Sequence, residues 1–272
     1  MAKHWHGIDT RMRHGLLILL LSLAPAASVM TANTANTLEN LPGFAVAELF
    51  TSEGCSSCPP ADRLLAKWVA DSQAANLRLY ALAFHVDYWD DLGWKDPYSN
   101  PGFTRRQEAY SSVFGPGRVY TPQLIINGAE QLVGSQSRSV RRAISRALAT
   151  HRPGEVRLRL GNITTGGVQI AYQTEGLPKH AWVHIAVVER GLVQRVTRGE
   201  NAGRLLRHEN VVRAFQTRRT AEGDLFLPFP ENLNAANSTL VAYVQDPKTL
   251  AVLAATKAAM QVEDTPTLPA GR

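Results

Sequence analysis

Among its 272 residues the chain has only two cysteines, Cys55 and Cys58. No second Cys or His pair stands at ligand spacing from them, which removes the ordinary structural zinc site. No Met-rich tract accompanies them to mark a copper carrier. The one pronounced apolar run, residues 15–23, is shorter than the roughly 20 residues a membrane-spanning helix needs. No cysteine follows that run, so a lipid-anchored form is not expected. A basic stripe with interleaved aromatics is also missing, which argues against nucleic acid as a partner. The net charge of +6 is spread along the chain, as on a solvated basic surface. There is no internal repeat and no low-complexity tract, so a repeat architecture is not expected.

The rest of the composition is that of a globular protein with a real core, 44% hydrophobic and 19% charged. The length allows one large domain or two ordinary ones. Residues 1–28 have the plan of an export signal. Arg11 and Arg13 make a basic start, 15–23 an apolar centre and 24–28 a small-residue end, with cleavage expected near 26–28. Without residues 1–30 the chain keeps 26 basic and 22 acidic side chains, a net +4. Residues 29–41 read as a flexible polar leader and 263–272 as a disordered tail. The expected location is outside the cytoplasm, periplasmic or secreted. No stable membrane insertion is expected once the signal is gone.

The stretch 46–60, VAELFTSEGCSSCPP, organises the chain. It reads as a strand that feeds Cys55-Ser56-Ser57-Cys58 into a helix opened by Pro59 and Pro60, where a missing N–H is tolerated. The first sulfur then lies near free N–H groups and the positive end of the helix dipole, which lowers a thiol pKa from about 8.5. A second strand at 76–86 completes a βαβ unit, so the two strands are expected to be parallel. A loop at 87–100 (DYWDDLGWKDPYSN), a helix from Pro101, a strand at 123–126, an Asn127-Gly128 hairpin, a return strand at 130–133 and a helix at 137–151 follow. This β-α-β-α-β-β-α order is that of thioredoxin. Beyond a boundary at 151–154 the texture changes to short alternating strands at 155–160, 168–173, 182–188, 240–245 and 252–256. That spacing predicts a small antiparallel sandwich, interrupted by 199–215 as loop and irregular strand. The expected fold is therefore α/β: a thioredoxin-like domain over 42–152, followed by a β-rich, sandwich-like domain over 153–262.

The chemistry expected of the pair is thiol–disulfide exchange. Cys55, the more exposed thiol, attacks; Cys58, one turn on and more buried, resolves. In thioredoxin-like folds a cis-proline precedes the third strand and faces the cysteine pair. By that likeness Thr121-Pro122 is expected to be cis and to offer the backbone of Thr121 to an extended substrate, the alternative being an ordinary trans proline at a strand entrance. Glu48 lies mid-strand and seven residues before Cys55. It is either a buried acid that moves a proton for Cys58, as implied by its place close to where thioredoxins keep such an acid, or a rim carboxylate paired with Arg63 or Lys67. His85 closes the second strand, where α/β sites gather. It serves the thiolate, joins both sulfurs around a metal, or is a capped structural residue. Trp89 and Trp94, with Tyr88, either rim a peptide site or pack their loop. His184 and His208 are too isolated to imply a site.

These segments also resemble a family of exported bacterial proteins known as domain of unknown function 1223. The resemblance rests on ELFTSEGCSSCPPAD (48–62), AFHVDYWDDLGWKDPYS (83–99), RQEAY (106–110) and VYTPQLIINGAEQLVGS (119–135). It extends to GENAGRLLRHENVVR (199–213) and VAYVQDPKTLAVLAA (241–255). It implies a thioredoxin-like domain, a small β-rich domain and the Cys55/Cys58 pair as hallmark. It implies no settled substrate. Ser56-Ser57 stands where thioredoxins carry Gly-Pro, and the intervening pair helps set the potential, so the direction of electron flow does not carry over.

Three readings follow. The first is an extracytoplasmic thiol–disulfide oxidoreductase acting on an extended protein or peptide, with no cofactor or resident metal. The second is a binding module with a structural disulfide. The third is a Cu(I) handler using Cys55, Cys58 and His85.

Overall fold

The computed structural model describes residues 43–115, 117 and 119–260. The export signal, the leader and the tail lie outside the described residues. Strand β1 (Ala45–Thr51) is buried at every position, as is β2 (Leu79–His85). The two pair in parallel, Ala45 opposite Leu79 through Thr51 opposite His85. Between them runs α1 (Pro59–Ala74), with Cys58 in helical conformation at its N-cap. Strands of this kind, apolar on both faces, belong to a sheet covered on both sides. Ala45, Ala47 and Leu49 pack beneath Leu65, Trp68 and Val69 of α1 and Val140, Ala143 and Ile144 of α3 (Ser137–Ala149). The alternate positions Phe44, Val46 and Phe50 face Phe103 and Tyr110 of α2 (Pro101–Phe114).

Helix α2 starts where Asn100 accepts a hydrogen bond from the Gly102 N–H and Pro101 fills the first turn. Strands β3 (Gln123–Ile126) and β4 (Glu130–Val133) form the antiparallel edge beyond β1. Their turn has positive φ at both Asn127 and Gly128. A Cβ at Gly128 would also meet the Leu250 carbonyl oxygen at 1.8 Å, so only glycine fits there.

The remaining strands are β5 (Glu155–Thr164), β6 (Gly167–Glu175), β7 (Trp182–Glu189), β8 (Leu192–Arg195), β9 (Leu205–His208), β10 (Val211–Arg218), β11 (Glu222–Pro228), β12 (Ser238–Gln245) and β13 (Val252–Ala259). Four of them extend the first sheet. Its order is β13-β12-β7-β10-β2-β1-β3-β4, eight strands of mixed direction. The seam between β10 and β2 is one parallel pair, Val211 opposite Ala83. The Asn210 carbonyl accepts from the Ala83 N–H there, and the Asn210 amide donates to the Ala81 carbonyl. Strands β11-β6-β5 form a second sheet and β8-β9 a third. The second sheet packs Val156, Ile170 and Leu227 against Val183, Ile185 and Leu240 of the first. The result is a mixed α/β molecule whose main sheet runs unbroken across the change of texture at 151–154. β8, β9 and β11 had not stood out in the sequence. They are short or half-exposed, and so lack a clear apolar alternation.

Glu48 shows how tightly the two halves are joined. It is fully buried on the α2 face of β1. Arg106 grips it bidentately, Nε to Oε2 at 2.5 Å and Nη2 to Oε1 at 2.9 Å, and the Tyr110 hydroxyl donates to Oε1 at 2.6 Å. Its partner is thus Arg106, rather than Arg63 or Lys67. The guanidinium lies over the rings of Tyr110, Phe215 and Tyr243 and donates to Gln245 Oε1. Three of the residues enclosing this pair, Phe215, Tyr243 and Gln245, come from the second half of the chain. His184 stacks there too, and burial together with the Arg106 charge pushes its pKa well below the ordinary value. The neutral ring donates from Nε2 to Gln245 Oε1 at 2.8 Å, leaving Nδ1 to accept from Thr217.

Removing one partner of such a pair leaves an uncompensated buried charge. Arg106→Met is expected to lower the unfolding free energy by about 3–5 kcal/mol in urea titrations. The double variant Glu48→Gln/Arg106→Met should lose less than the single one. Lys67→Ala, at an exposed pair, should cost less than about 1 kcal/mol.

Candidate functional site

The chain leaves β1 at Thr51 and turns sharply. The Cys55 N–H bonds to the Ser52 carbonyl, and Cys58 N–H to the Cys55 carbonyl. The Cys58 carbonyl then starts α1 by accepting from Ala61 and Asp62 N–H. Cys55 and Cys58 are joined as a disulfide with Cα atoms 5.4 Å apart. Both are fully buried, while Ser56 and Ser57 between them are exposed. The greater exposure expected of Cys55 is therefore not seen in this disulfide form. The Ser57 hydroxyl lies 3.3 Å from Cys55 Sγ.

The Thr121-Pro122 bond is cis. The Ser57 hydroxyl reaches the Thr121 carbonyl at 3.5 Å. Trp89 donates its indole N–H to Thr121 Oγ1 at 2.9 Å, and its Cβ lies 3.0 Å from where a Cβ on Gly54 would be. Trp94 donates to Glu53 Oε2 at 2.8 Å. The two tryptophans thus brace the walls of the cysteine loop and are half-buried in doing so.

Beneath the loop lies a buried set of acids and imidazoles that the sequence had not brought together: Glu53, Asp62, His85, Asp96 and His208. His85 Nδ1 bonds Asp96 Oδ2 at 2.7 Å, and that oxygen also accepts the Glu53 N–H. His208 Nε2 bonds Glu53 Oε1 at 3.0 Å. The His85 and His208 rings meet edge to face at 4.9 Å. His85 Nε2 is buried with no hydrogen-bond partner among the described residues. Thr51 donates to Asp62 Oδ1 at 2.8 Å. Asn201 donates to the carbonyls of Glu53 and Cys55.

The charges in this set compensate. Burial alone would lower the His85 pKa, but the Asp96 carboxylate, with Asp62 and Glu53 behind it, outweighs burial and raises it. Burial likewise works to raise Asp96, but charged His85 and the N–H groups of Glu53 and Tyr98 hold it below the ordinary value. For Asp62 burial dominates over the pull of His208 and His85, and its pKa is raised.

Asp62 stands four residues after Cys58, whose backbone is already helical. Side chains at i and i+4 share one helix face, about 5–6 Å apart at Cβ. Cys58, Asp62, Leu65 and Val69 form that buried stripe. Glu48 lies on the opposite face of β1, with its hydrogen bonds spent on Arg106 and Tyr110. Of the two acids, Asp62 is the one beside the sulfurs. Its spacing from Cys58 was a usable signal. His208 and Asn201 had only the long segment 199–213 to mark them. Among the described residues no group of three or more His, Cys, Asp or Glu side chains is disposed to hold a metal ion.

The family model for "protein of unknown function (DUF1223)" matches residues 46–245. The chain belongs to this family. A crystal structure of a protein from Agrobacterium tumefaciens is similar, with a TM-score of 0.61 and 26% identity, over 82% of this chain and 96% of that one. No curated protein matches the chain. The residues matched to the DUF1223 family include both cysteines, the cis-proline and the whole buried acid–imidazole set.

Because the folded His85 pKa is raised, its stabilising effect is fully present below the unfolded value of about 6.5 and is lost as pH rises through the folded value. The stability difference between wild type and His85→Gln in urea titrations should thus be full at about pH 5 and shrink as pH rises past about 6.5. A difference that grows with pH would contradict a charged His85.

Proposed function

We propose that the protein is an extracytoplasmic thiol–disulfide oxidoreductase with a thioredoxin-like first half, acting on an extended protein or peptide. The observation that carries this reading is the cysteine pair at the head of α1, linked through Ser57 to the residue before a cis-proline, with a buried carboxyl one helical turn along. The order of the first seven elements and the parallel β1–β2 pair support the fold. The export-like residues 1–28 support the location.

In the reducing direction, the Cys55 thiolate attacks one sulfur of a substrate disulfide. The substrate S–S bond breaks, and the first substrate thiolate leaves and takes a proton from water. Cys58 then gives its thiol proton to the Asp62 carboxylate and attacks Cys55 Sγ in the mixed disulfide. The second substrate thiolate leaves and is protonated. Two electrons have passed to the substrate, and the pair is left as the disulfide seen here. The reverse sequence oxidises a substrate dithiol. Asp62 replaces Glu48 in this scheme, since a neutralisable acid on the sulfur side is what the resolving step needs. The backbone of Thr121 docks the extended substrate, and Trp89 fixes that residue.

A second reading has an observation of its own. Both sulfurs are buried, as in a structural disulfide of a binding module. The potential of the pair separates the two. Equilibration with glutathione buffers should give a value between about −120 and −270 mV for an exchange protein, and below about −300 mV for a structural disulfide. For the exchange reading, Cys58→Ser should accumulate a mixed disulfide with a peptide disulfide. Asp62→Asn should slow the decay of the wild-type mixed disulfide by roughly 10²-fold. An unchanged decay would remove Asp62 from the scheme.

A further inference from the structure

The cysteine loop is held by hydrogen bonds from the other half of the chain. Asn201 is fully buried in the turn that precedes β9. Its amide nitrogen donates to the carbonyls of Glu53 at 2.8 Å and Cys55 at 3.0 Å, and its oxygen accepts from Arg204 at 2.8 Å. The exposed neighbour Glu200 accepts from the Ser56 N–H at 3.0 Å. Cys55 is thus held at its own carbonyl and at the N–H that follows it. The turn is closed on itself by Ala202 N–H to the Gly199 carbonyl and Arg204 N–H to the Asn201 carbonyl, and it is tied to Val196 through Gly203. Both cysteines of the loop it holds are fully buried. Exchange requires a second sulfur to reach one of them, so its rate depends on access as well as on thiol chemistry.

We propose that the 199–204 turn gates the cysteine pair, with Asn201 as the positioning residue: Cys55 opens to a second sulfur only when the Asn201 bonds to the cysteine loop are released. A partner that displaces Asn201 must supply donors for the two freed carbonyls. An extended peptide backbone carries such N–H groups at regular spacing. The gate therefore suits an extended peptide as the displacing partner. This choice of partner rests on the exchange reading above, whereas the gate itself concerns only access to the disulfide.

The test is the second-order rate constant for reduction of the oxidised full chain by dithiothreitol, read by alkylation and mass shift. In this reaction a thiolate of the reagent attacks one sulfur of the pair and the Cys55–Cys58 bond breaks. The reagent's second thiol then closes its ring and frees the other cysteine, and both cysteine thiolates take protons from water. Losing the two buried hydrogen bonds in Asn201→Ala should speed reduction about tenfold or more, and losing the exposed one in Glu200→Ala about threefold. Lys67→Ala, on the exposed face of α1, should leave the rate unchanged. A folded Asn201→Ala chain reduced at the wild-type rate overturns the gate. Should Asn201→Ala fail to unfold cooperatively, a wild-type rate in Glu200→Ala overturns it instead. The glutathione potential of the wild type keeps the two ideas apart. A structural value with accelerated variants removes the exchange reading and leaves the gate. A catalytic value with unaccelerated variants does the reverse.

Discussion

The buried pair of Glu48 and Arg106 is the constraint on which the molecule depends. A carboxylate in the middle of a fully buried strand is tolerated only if its charge is matched and its lone pairs are filled. Arg106 and Tyr110 do both from α2. The guanidinium must then be satisfied in turn, and Gln245, Phe215 and Tyr243 complete its cage from β12 and β10. One acidic residue in β1 thereby ties the first half of the chain to the second. The single backbone pair between β10 and β2 would be a slight seam without it.

The same dependence appears on the other face of the sheet. There the cysteine loop is shaped less by its own residues than by what arrives from elsewhere. His208 and Asn201 hold Glu53 and the Cys55 carbonyl, Asp96 and His85 hold the strand end, and Trp89 bridges to the cis-proline strand. The two faces divide the labour between the acids. Glu48 is locked in an ion pair that serves folding, while Asp62 is buried on the Cys58 side of the sheet and accepts a hydrogen bond from Thr51. Pleating makes this division: Glu48 and Thr51 sit three residues apart on β1 and so point to opposite sides.

Much of the first half was legible. The order of its seven elements follows from apolar runs of strand length, prolines at helix starts and an Asn-Gly turn, all of which act locally. The cis bond at Thr121-Pro122 was foreseen from its place before the third strand. Less could be read beyond residue 154. β8 and β9 are four residues each, too short to set up a period. The joining of β7, β10, β12 and β13 to the first sheet leaves no local mark, because a strand's neighbours are chosen by packing between distant segments.

The sequence by itself determined a pair of cysteines at a helix head, a proline before the third strand and a family resemblance carried by long, specific words. Those features depend on residues within a few positions of each other, where steric and hydrogen-bonding preferences act directly. Only the tertiary structure decided which acid shares the Cys58 side of the sheet, that a guanidinium fifty-eight positions along in the chain neutralises Glu48, and that a turn near residue 200 bonds to the Cys55 carbonyl. These depend on which face of the sheet a side chain meets and on what packs across it. The free energy of burying a charge or a carbonyl is settled by that surrounding, and no short stretch of sequence contains it.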